Sequence, residues 1–300
     1  QALLDDMVAG GTDHAVMEVS SHALHQHRVE RIAFDVAVFT NLTHDHLDYH
    51  GSFDRYRDAK AMLFHYYLHE SGKKARYAIL NRDDPHVSSF IPGEGVSSLF
   101  FSTTGEADAS LTGMEESVSG MKLEVILQGT AVTVQTSLIG SFNASNILAA
   151  MLCGVVCGCS IQEIVRGISV LDGVPGRLER VRSTNGVFIF VDYAHTPDAL
   201  ERVLTILGDL KRGRLIVVFG CGGDRDREKR PIMGRLAAKH ADIPIVTSDN
   251  PRSEDPLSII DEITAGMEGE VFEVIADRRE AIFRAVGMAK EGDILLVAGK

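Results

Sequence analysis

The chain alternates short β-rich apolar runs with longer stretches of helical periodicity, the pattern of an α/β protein built on largely parallel sheets. Ala15 to Val19 and Val36 to Thr40 read as early strands. Ser52 to Glu70 reads as a helix, in which Phe53, Tyr56, Met62, Leu63 and Tyr67 supply much of the apolar face and Ser52 serves as N-cap. From Ser97 to Leu138, most clearly over Met121 to Val134, apolar and polar residues alternate amid Gly, Ser and Thr, which predicts an antiparallel β excursion. Asn143 to Cys159 and Ile161 to Leu171 are predicted helices, and Asp172-Gly173-Val174-Pro175-Gly176 breaks the pattern. That break is the expected domain boundary, between residues 1–173 and 174–300. The second α/β unit has strands at Val187 to Val191, Leu215 to Phe219, Ile243 to Val246 and Ile294 to Ala298, with helices between them. In open α/β sheets, ligands gather outside the C-terminal ends of the strands. The unusual polar residues of this chain sit at those ends.

Three hundred residues at 45% hydrophobic content suffice for two ordinary cores, in line with the two-unit pattern. A net charge of -12 argues against general attraction to nucleic acid or anionic membranes while leaving room for a local basic pocket, so small molecules are the expected partners. The most apolar run, Ile147 to Cys159, is too short for a bilayer, which needs about 20 residues, and reads as a buried helix. Cys153, Cys157 and Cys159 lie in that run without the paired C-x-x-C spacing of a zinc site. With Cys221 they read as small core residues and free thiols, consistent with a reducing, cytoplasmic compartment. The chain starts at Gln1 and stops at Gly299-Lys300 directly after a strand, so both ends are expected to be cut.

Asp249-Asn250-Pro251-Arg252 follows the apolar run Ile243 to Val246 and points to carboxylate recognition. A guanidinium binds a carboxylate through two parallel hydrogen bonds, Asp249 and Asn250 can hold an ammonium group, and Pro251 stiffens the turn. Alone, it is equally an ordinary Asx-Pro turn. Nine of the twelve histidines fall in the first seventy residues, densest in Thr43-His44-Asp45-His46-Leu47-Asp48-Tyr49-His50, which is either a metal-binding loop or a polar loop with exposed histidines. Glu18 emerges at a predicted strand end beside Ser20-Ser21-His22, as a magnesium ligand or a solvated carboxylate, and Gln26 and Arg28 follow where a turn could aim them at an anion. Gly220-Cys221-Gly222-Gly223-Asp224-Arg225 permits an anion-binding nest of backbone N–H groups. Asp192-Tyr193-Ala194-His195 ends another strand, with Pro197 opening a helix. No G-x-x-x-x-G-K-[ST] occurs, so the usual cradle for nucleotide phosphates is missing from the chain.

In combination these motifs resemble the Mur ligases, in particular the members that add the third amino acid of the peptidoglycan stem. Met17 to His22, Thr40 to Thr43 with Asp45 to Gly51, Asp192 to Asp198, Gly220 to Asp226 and Asp249 to Arg252 occur in family order over essentially the whole chain. The resemblance implies a central ATPase domain followed by a Rossmann-like C-terminal domain, with the P-loop and an N-terminal nucleotide-binding domain upstream of Gln1. It implies that ATP phosphorylates the carboxylate of a UDP-N-acetylmuramoyl dipeptide and that the incoming amino group displaces phosphate from the acyl phosphate. Magnesium would be held by Glu18, His46 and a carbamate on Lys60. A free lysine is ordinarily a cation, with a pKa of about 10.4, and would repel the metal, whereas a carbamate is an oxygen-donor anion. Ser20, Gln26 and Arg28 would contact the muramoyl dipeptide. Asn143, Asn146, Arg177 and Asp192 would approach ATP, and Arg225, Asp249, Asn250, Pro251, Arg252 and Gly299 would form the amino-acid pocket.

The Asp-Asn-Pro-Arg form is the one associated with meso-diaminopimelate. L-lysine, the alternative substrate, lacks the distal carboxylate and would leave the arginine unpaired, which costs a site built for hydrogen bonding heavily. A zinc hydrolase of the metallo-β-lactamase type is a distant rival, because Tyr49 separates Asp48 from His50 and spoils the H-x-H-x-D-H spacing. A non-catalytic amino-acid-binding protein is a second rival.

Overall fold

The computed structural model describes residues 2–43 and 47–299, apart from the side chains of Ala2, Leu47 and Asp48. Helix α1 is Ala2–Ala9, α2 is Ser21–His25 and strand β1 is Val36–Phe39, followed by α3 at Leu47–His50 and α4 at Phe53–Met62. Strands β2 (Tyr77–Asn81), β3 (Ser97–Ser102), β4 (Ala109–Ser117), β5 (Gly120–Leu127) and β6 (Thr130–Thr136) lead into α5 (Ser141–Val156) and α6 (Ile161–Ser169). The first sheet runs β1-β2-β3-β4-β5-β6. Two compact units emerge, one of Gln1–Leu111, Ile126–Ala131 and Ser145–Ser160, the other of Thr112–Val125, Val132–Ala144 and Ile161–Lys300.

In the first unit β1, β2 and β3 pair in parallel. Ser97–Ser102 therefore belongs to the parallel sheet, contrary to the expectation of an antiparallel excursion beginning there. Its own residues, Ser-Ser-Leu-Phe-Phe-Ser, do not alternate, and the choice of partner and direction is set by the crossover that delivers it. Phe39 stacks on Phe90 with centroids 3.8 Å apart, and Phe64 meets Phe90 edge-on, within a core that also holds Leu42, Tyr56 and Leu80. Ser52 caps α4 as expected, accepting from Arg55 N. The helix nevertheless does not continue regularly to Glu70. After Met62 the backbone widens into a π-helix over Leu63–Tyr67, with Leu68 N donating to Leu63 O five residues back. Tyr67 is buried, and its hydroxyl donates to Leu24 O at 3.3 Å and lies 2.9 Å from His27 Nδ1.

Two other expectations fail. Ala15 to Val19 forms no strand, and Val16 and Met17 are exposed. Among the described residues this run pairs with no strand, and without a ladder partner its exposed N–H and C=O groups are left to solvent. The cysteines of the apolar run are not core residues either. Helix α5 buries Ile147, Leu148, Met151 and Leu152 but ends at Val156, so Cys157 and Cys159 are exposed and Cys153 is half-buried. Only Cys221 of the four is buried.

In the second unit, β7 (Glu179–Val181), β8 (Phe188–Asp192), α7 (Pro197–Leu210), β9 (Leu215–Phe219), α8 (Lys229–His240), β10 (Ile243–Val246), α9 (Pro256–Thr264), β11 (Glu273–Val274), α10 (Arg278–Met288) and β12 (Ile294–Ala298) build a sheet of order β11-β10-β9-β12-β8-β7. All its pairings are parallel except β7 with β8. Every residue of β9 and β12 is buried, as continuous apolar runs between two helical layers require. Leu215, Val217 and Phe219 of β9 face α7, α8 and α9 through Leu204, Met233 and Ile263, while Ile216 and Val218 face Ala281 and Ala285 of α10. Pro197 and Pro256 occupy first turns after the N-caps Thr196 and Asp255, so α7 and α9 start where the strand-end loops finish. Among the described residues, no helix is long and apolar enough to cross a membrane.

Candidate active site

The loops after β8, β9, β10 and β12 meet at the C-terminal edge of the second sheet. Gly223 N donates to Asn250 O at 2.9 Å, and Asp224 accepts from Ser253 N and Ser253 Oγ at 3.1 and 2.7 Å. These bonds zip the glycine-rich loop to the Asp249–Arg252 loop. The glycines are needed for contact: a Cβ on Gly223 would stand 1.9 Å from Pro251 O, and one on Gly220 would stand 2.3 Å from Thr247 O. Both Asp224 and Arg252 take left-handed backbone conformations at φ 51°, rare for residues with side chains and held only where the surroundings demand it. The sequence indicated a stiff turn at Pro251 but not this inversion.

Arg252 donates from Nη1 to Gly223 O at 2.7 Å, which fixes one end of its guanidinium. Among the described residues that is the only hydrogen bond its side chain makes. Arg225 is exposed and reaches only the Asp224 carbonyl, at 3.4 Å. The half-buried Asp249 carboxylate faces Gly299, whose φ of 98° and missing side chain keep that approach open, since a Cβ there would lie 3.1 Å from Asp249 Oδ2. Asn250 is exposed beside it. Two arginines that each give a single hydrogen bond to a carbonyl thus sit within one pair of loops with a carboxylate that has no side-chain hydrogen bond among the described residues, a charge pattern complementary to an amino acid carrying an additional carboxylate.

Arg278, overlooked in the sequence, belongs to the same place. Its Nη2 donates to Ala298 O at 2.9 Å, and its buried Nη1 has no partner among the described residues. Burial pushes its pKa down and Asp249 opposes the shift. A signal was present: Arg278 opens α10 directly after its N-cap Asp277, where a cation runs against the helix dipole. Arg230, in the first turn of α8, carries the same signal and is wholly buried.

Asp192 is buried at the end of β8, where it accepts Leu178 N at 2.7 Å and Ala194 N at 2.8 Å. Burial raises its pKa, while those two backbone donors and the charge of Arg177 act in the opposite sense. Its carboxylate therefore secures the strand end, and its own carbonyl accepts Gly299 N at 3.0 Å. Arg177 is exposed. Asn143 is buried and donates to Ile139 O at 2.7 Å, whereas Asn146 is exposed one turn later on α5. His195 is exposed, with Nδ1 2.8 Å from Tyr193 O.

The first unit holds the other predicted residues. Ser20 caps α2 through Ala23 N, and Gln26 closes the helix with Nε2 2.9 Å from the Tyr49 hydroxyl. Arg28 is exposed nearby in sequence. Glu18 is exposed on the segment that forms no strand, and Lys60 is half-buried on α4 with its ammonium 5.4 Å from the Tyr56 ring centroid. His44 and His46 lie outside the described residues. His50 is buried with Nε2 3.0 Å from Ser21 Oγ, so this histidine of the patch packs inward. A groove of about 440 Å³ lined by Arg57, Asp58, Met62, His65 and Tyr66 also lies in this unit, and none of the predicted site residues lines it.

Comparison with known proteins decides the family. The Mur ligase middle domain model matches residues 1–154, and the Mur ligase glutamate ligase domain model matches residues 176–300. The chain belongs to the Mur ligase family. Among its Mur ligase relatives, the UDP-N-acetylmuramoyl-L-alanyl-D-glutamate–2,6-diaminopimelate ligase of Geobacillus kaustophilus is 42% identical over 303 residues, covering 100% of this chain and 62% of that protein. The ligase of the same name from Bacillus velezensis is 44% identical over 292 residues, covering 96% and 59%. A solved structure of a ligase with that name superposes with a TM-score of 0.73 at 38% identity, covering 99% of this chain and 61% of the other. A folylpolyglutamate synthase from Mycobacterium tuberculosis, complexed with ADP and AMPPCP, shares the fold at 20% identity and a TM-score of 0.68, over 90% and 62% of the two chains. This Mur ligase chain spans about three-fifths of the length of the curated relatives it matches.

Proposed function

We propose that the chain supplies the middle and C-terminal portions, residues 1–173 and 174–300, of an ATP-dependent amide ligase that adds meso-diaminopimelate to UDP-N-acetylmuramoyl-L-Ala-D-Glu in peptidoglycan precursor synthesis in the cytoplasm. The observation that carries this reading is the pair Arg225 and Arg252, each held by a single carbonyl, beside the Asp249 carboxylate, in loops locked by Gly223 and bordered by Gly299. Diaminopimelate presents two carboxylates and two ammonium groups, and L-lysine would leave one guanidinium without its anion. The names of the relatives favour the same substrate.

Arg252 orients the amino acid by its distal carboxylate, Asp249 and Asn250 hold an ammonium group, and Arg225 and Gly299 complete the pocket. Thus held, the remaining amine attacks the acyl phosphate of the muramoyl dipeptide, the carbon–nitrogen bond forms, phosphate leaves with the carbon–oxygen electron pair, and the amine loses a proton. Ser20, Gln26 and Arg28 hold the muramoyl dipeptide, while Asn143, Asn146, Arg177 and Asp192 lie on the ATP side, with Asp192 acting chiefly by fixing the loop after β8. The donor chemistry of Glu18 and of a carbamate on the half-buried Lys60 suits a hard cation, with His46 as the third ligand. Magnesium held there would supply neutralisation of the phosphate charge.

The test is ATP-dependent phosphate release by this chain joined to the upstream portion its relatives carry, with the muramoyl dipeptide and either meso-diaminopimelate or L-lysine. Release with diaminopimelate alone is expected, and Arg252→Ala should raise the Michaelis constant for it by about a hundredfold, as loss of a charge-assisted bidentate contact implies. An unchanged constant would remove the assignment of Arg252. Equal rates with lysine would leave a ligase of different specificity. Labelling with carbon-13 bicarbonate should give a carbamate resonance that Lys60→Ala abolishes, and its absence would count against the modified lysine.

A further inference from the structure

We propose that Arg230 is the positioning residue of the amino-acid pocket, a role that rests on the ligase reading above. Its side chain is completely buried beneath the two ligand loops. Nη1 donates to Glu254 Oε2 at 2.9 Å and to Glu262 Oε2 at 2.7 Å, and Nη2 donates to Glu254 Oε1 at 2.8 Å and to Gly222 O at 3.3 Å. One planar guanidinium thereby joins the glycine-rich loop, the segment just past Arg252, and helix α9.

Glu254 is the transmission point. Its Oε1, bound to Arg230, also accepts Asp224 N at 2.6 Å, and Asp224 in turn binds Ser253 through both backbone and hydroxyl. The hydrogen bonds from Arg230, then the backbone donor of Asp224, hold the Glu254 carboxyl down at about 2 despite the opposing effect of desolvation. Asp224 and Arg252 are the pocket's two left-handed residues that carry side chains, and their loops keep that register only while Glu254 is fixed. Without the guanidinium, Glu254 and Glu262 would face each other as like charges in a half-buried place, and the loop aiming Arg252 would shift. Lysine would keep the charge but lose the flat fork that reaches two carboxylates and a carbonyl together. Glu262 shares the arginine and also pairs with Arg227 near the end of the loop after β9, but among the described residues none of its hydrogen bonds reaches Asp224, Arg252 or Ser253.

The experiment compares wild-type ligase, with its upstream portion present, against R230K, E254Q and E262Q, measuring Michaelis constants for meso-diaminopimelate and ATP, the turnover number, and the preference over L-lysine. R230K and E254Q should each raise the diaminopimelate constant by about tenfold or more and narrow the preference over lysine similarly, as loss of one charge-assisted contact in the network implies. The ATP constant should stay within about twofold, and E262Q, which weakens one of the four hydrogen bonds of Arg230 but leaves the link from Glu254 to Asp224 in place, should raise the diaminopimelate constant by clearly less than E254Q. If R230K fails to fold, the isosteric pair E254Q and E262Q decides. A parallel rise in both constants, or E262Q matching E254Q, would reduce Arg230 to a structural residue and overturn the proposal. A wild type that released no phosphate with diaminopimelate would instead remove the ligase reading, and the positioning role with it.

Discussion

Replacing Asp293 with Asn should flatten the acid limb of this protein's stability curve. Asp293 lies just before β12, almost wholly buried, and its carboxylate binds Arg214 Nη2 at 2.6 Å and Nε at 3.1 Å, Arg214 N at 2.8 Å and Lys290 N at 2.9 Å. It clamps the starts of the two central strands β9 and β12. Burial alone would raise its pKa, but the arginine and the two backbone donors outweigh burial and bring the carboxyl from 3.8 to about 2. At about 1.4 kcal/mol per pH unit, this depression contributes about 2 kcal/mol to folding. Because the folded-state value is the lower one, the contribution is complete above about pH 4 and disappears as the pH falls through 2. Urea denaturation at pH steps from 7 to 2 should therefore show D293N less stable by about 2 to 3 kcal/mol at neutral pH, with the gap shrinking by about 2 kcal/mol at the acid end. Two curves that stay equally separated throughout would show that the carboxylate's charge is not what the clamp uses.

Gly223→Ala should weaken diaminopimelate binding by about tenfold or more, since its methyl would collide with Pro251 O and push apart loops that must stay zipped; a normal Michaelis constant in the ligase would refute the close approach. Tyr67→Phe should cost about 1 to 2 kcal/mol in thermal or chemical denaturation by removing the hydroxyl that donates to Leu24 O, and a neutral result would mean that the π-helical register has no such purpose. Alkylation at neutral pH followed by peptide mass spectrometry should modify the exposed Cys157 and Cys159 quickly and spare Cys221, which is buried and pushed by that burial up to about 11. Equal labelling of Cys221 would contradict its place in the core.

What could be read in the sequence was whatever a local pattern determines. The unbroken apolar runs of β9 and β12 announce strands, and the cap at Ser52 and the proline at Pro197 mark where helices begin. The loop motifs after those strands supplied the pocket's exposed charges. Pairing was less legible: Ser97–Ser102 opens a stretch whose later residues alternate like an antiparallel sheet yet joins β2 in parallel, and Ala15 to Val19 has strand composition but forms no strand. The π-helical turn escaped because one inserted residue changes the period without changing the residue types. Arg230 and Arg278 escaped because a cation on a helix is ordinarily a solvated one. Their position in first turns, against the dipole, was the clue that distinguished them.

The placement of β12 between β8 and β9 also orders events during synthesis. This last strand in sequence separates two strands made roughly eighty to a hundred residues earlier, so the emerging polypeptide holds β8 and β9 without their shared neighbour until Ala298 leaves the ribosome. Until then the bond from Gly299 N to Asp192 O and the approach of Gly299 to Asp249 do not exist. A nascent chain stalled before Ile294 therefore leaves β8 and β9 each with an unpaired apolar edge, and the pocket without Gly299.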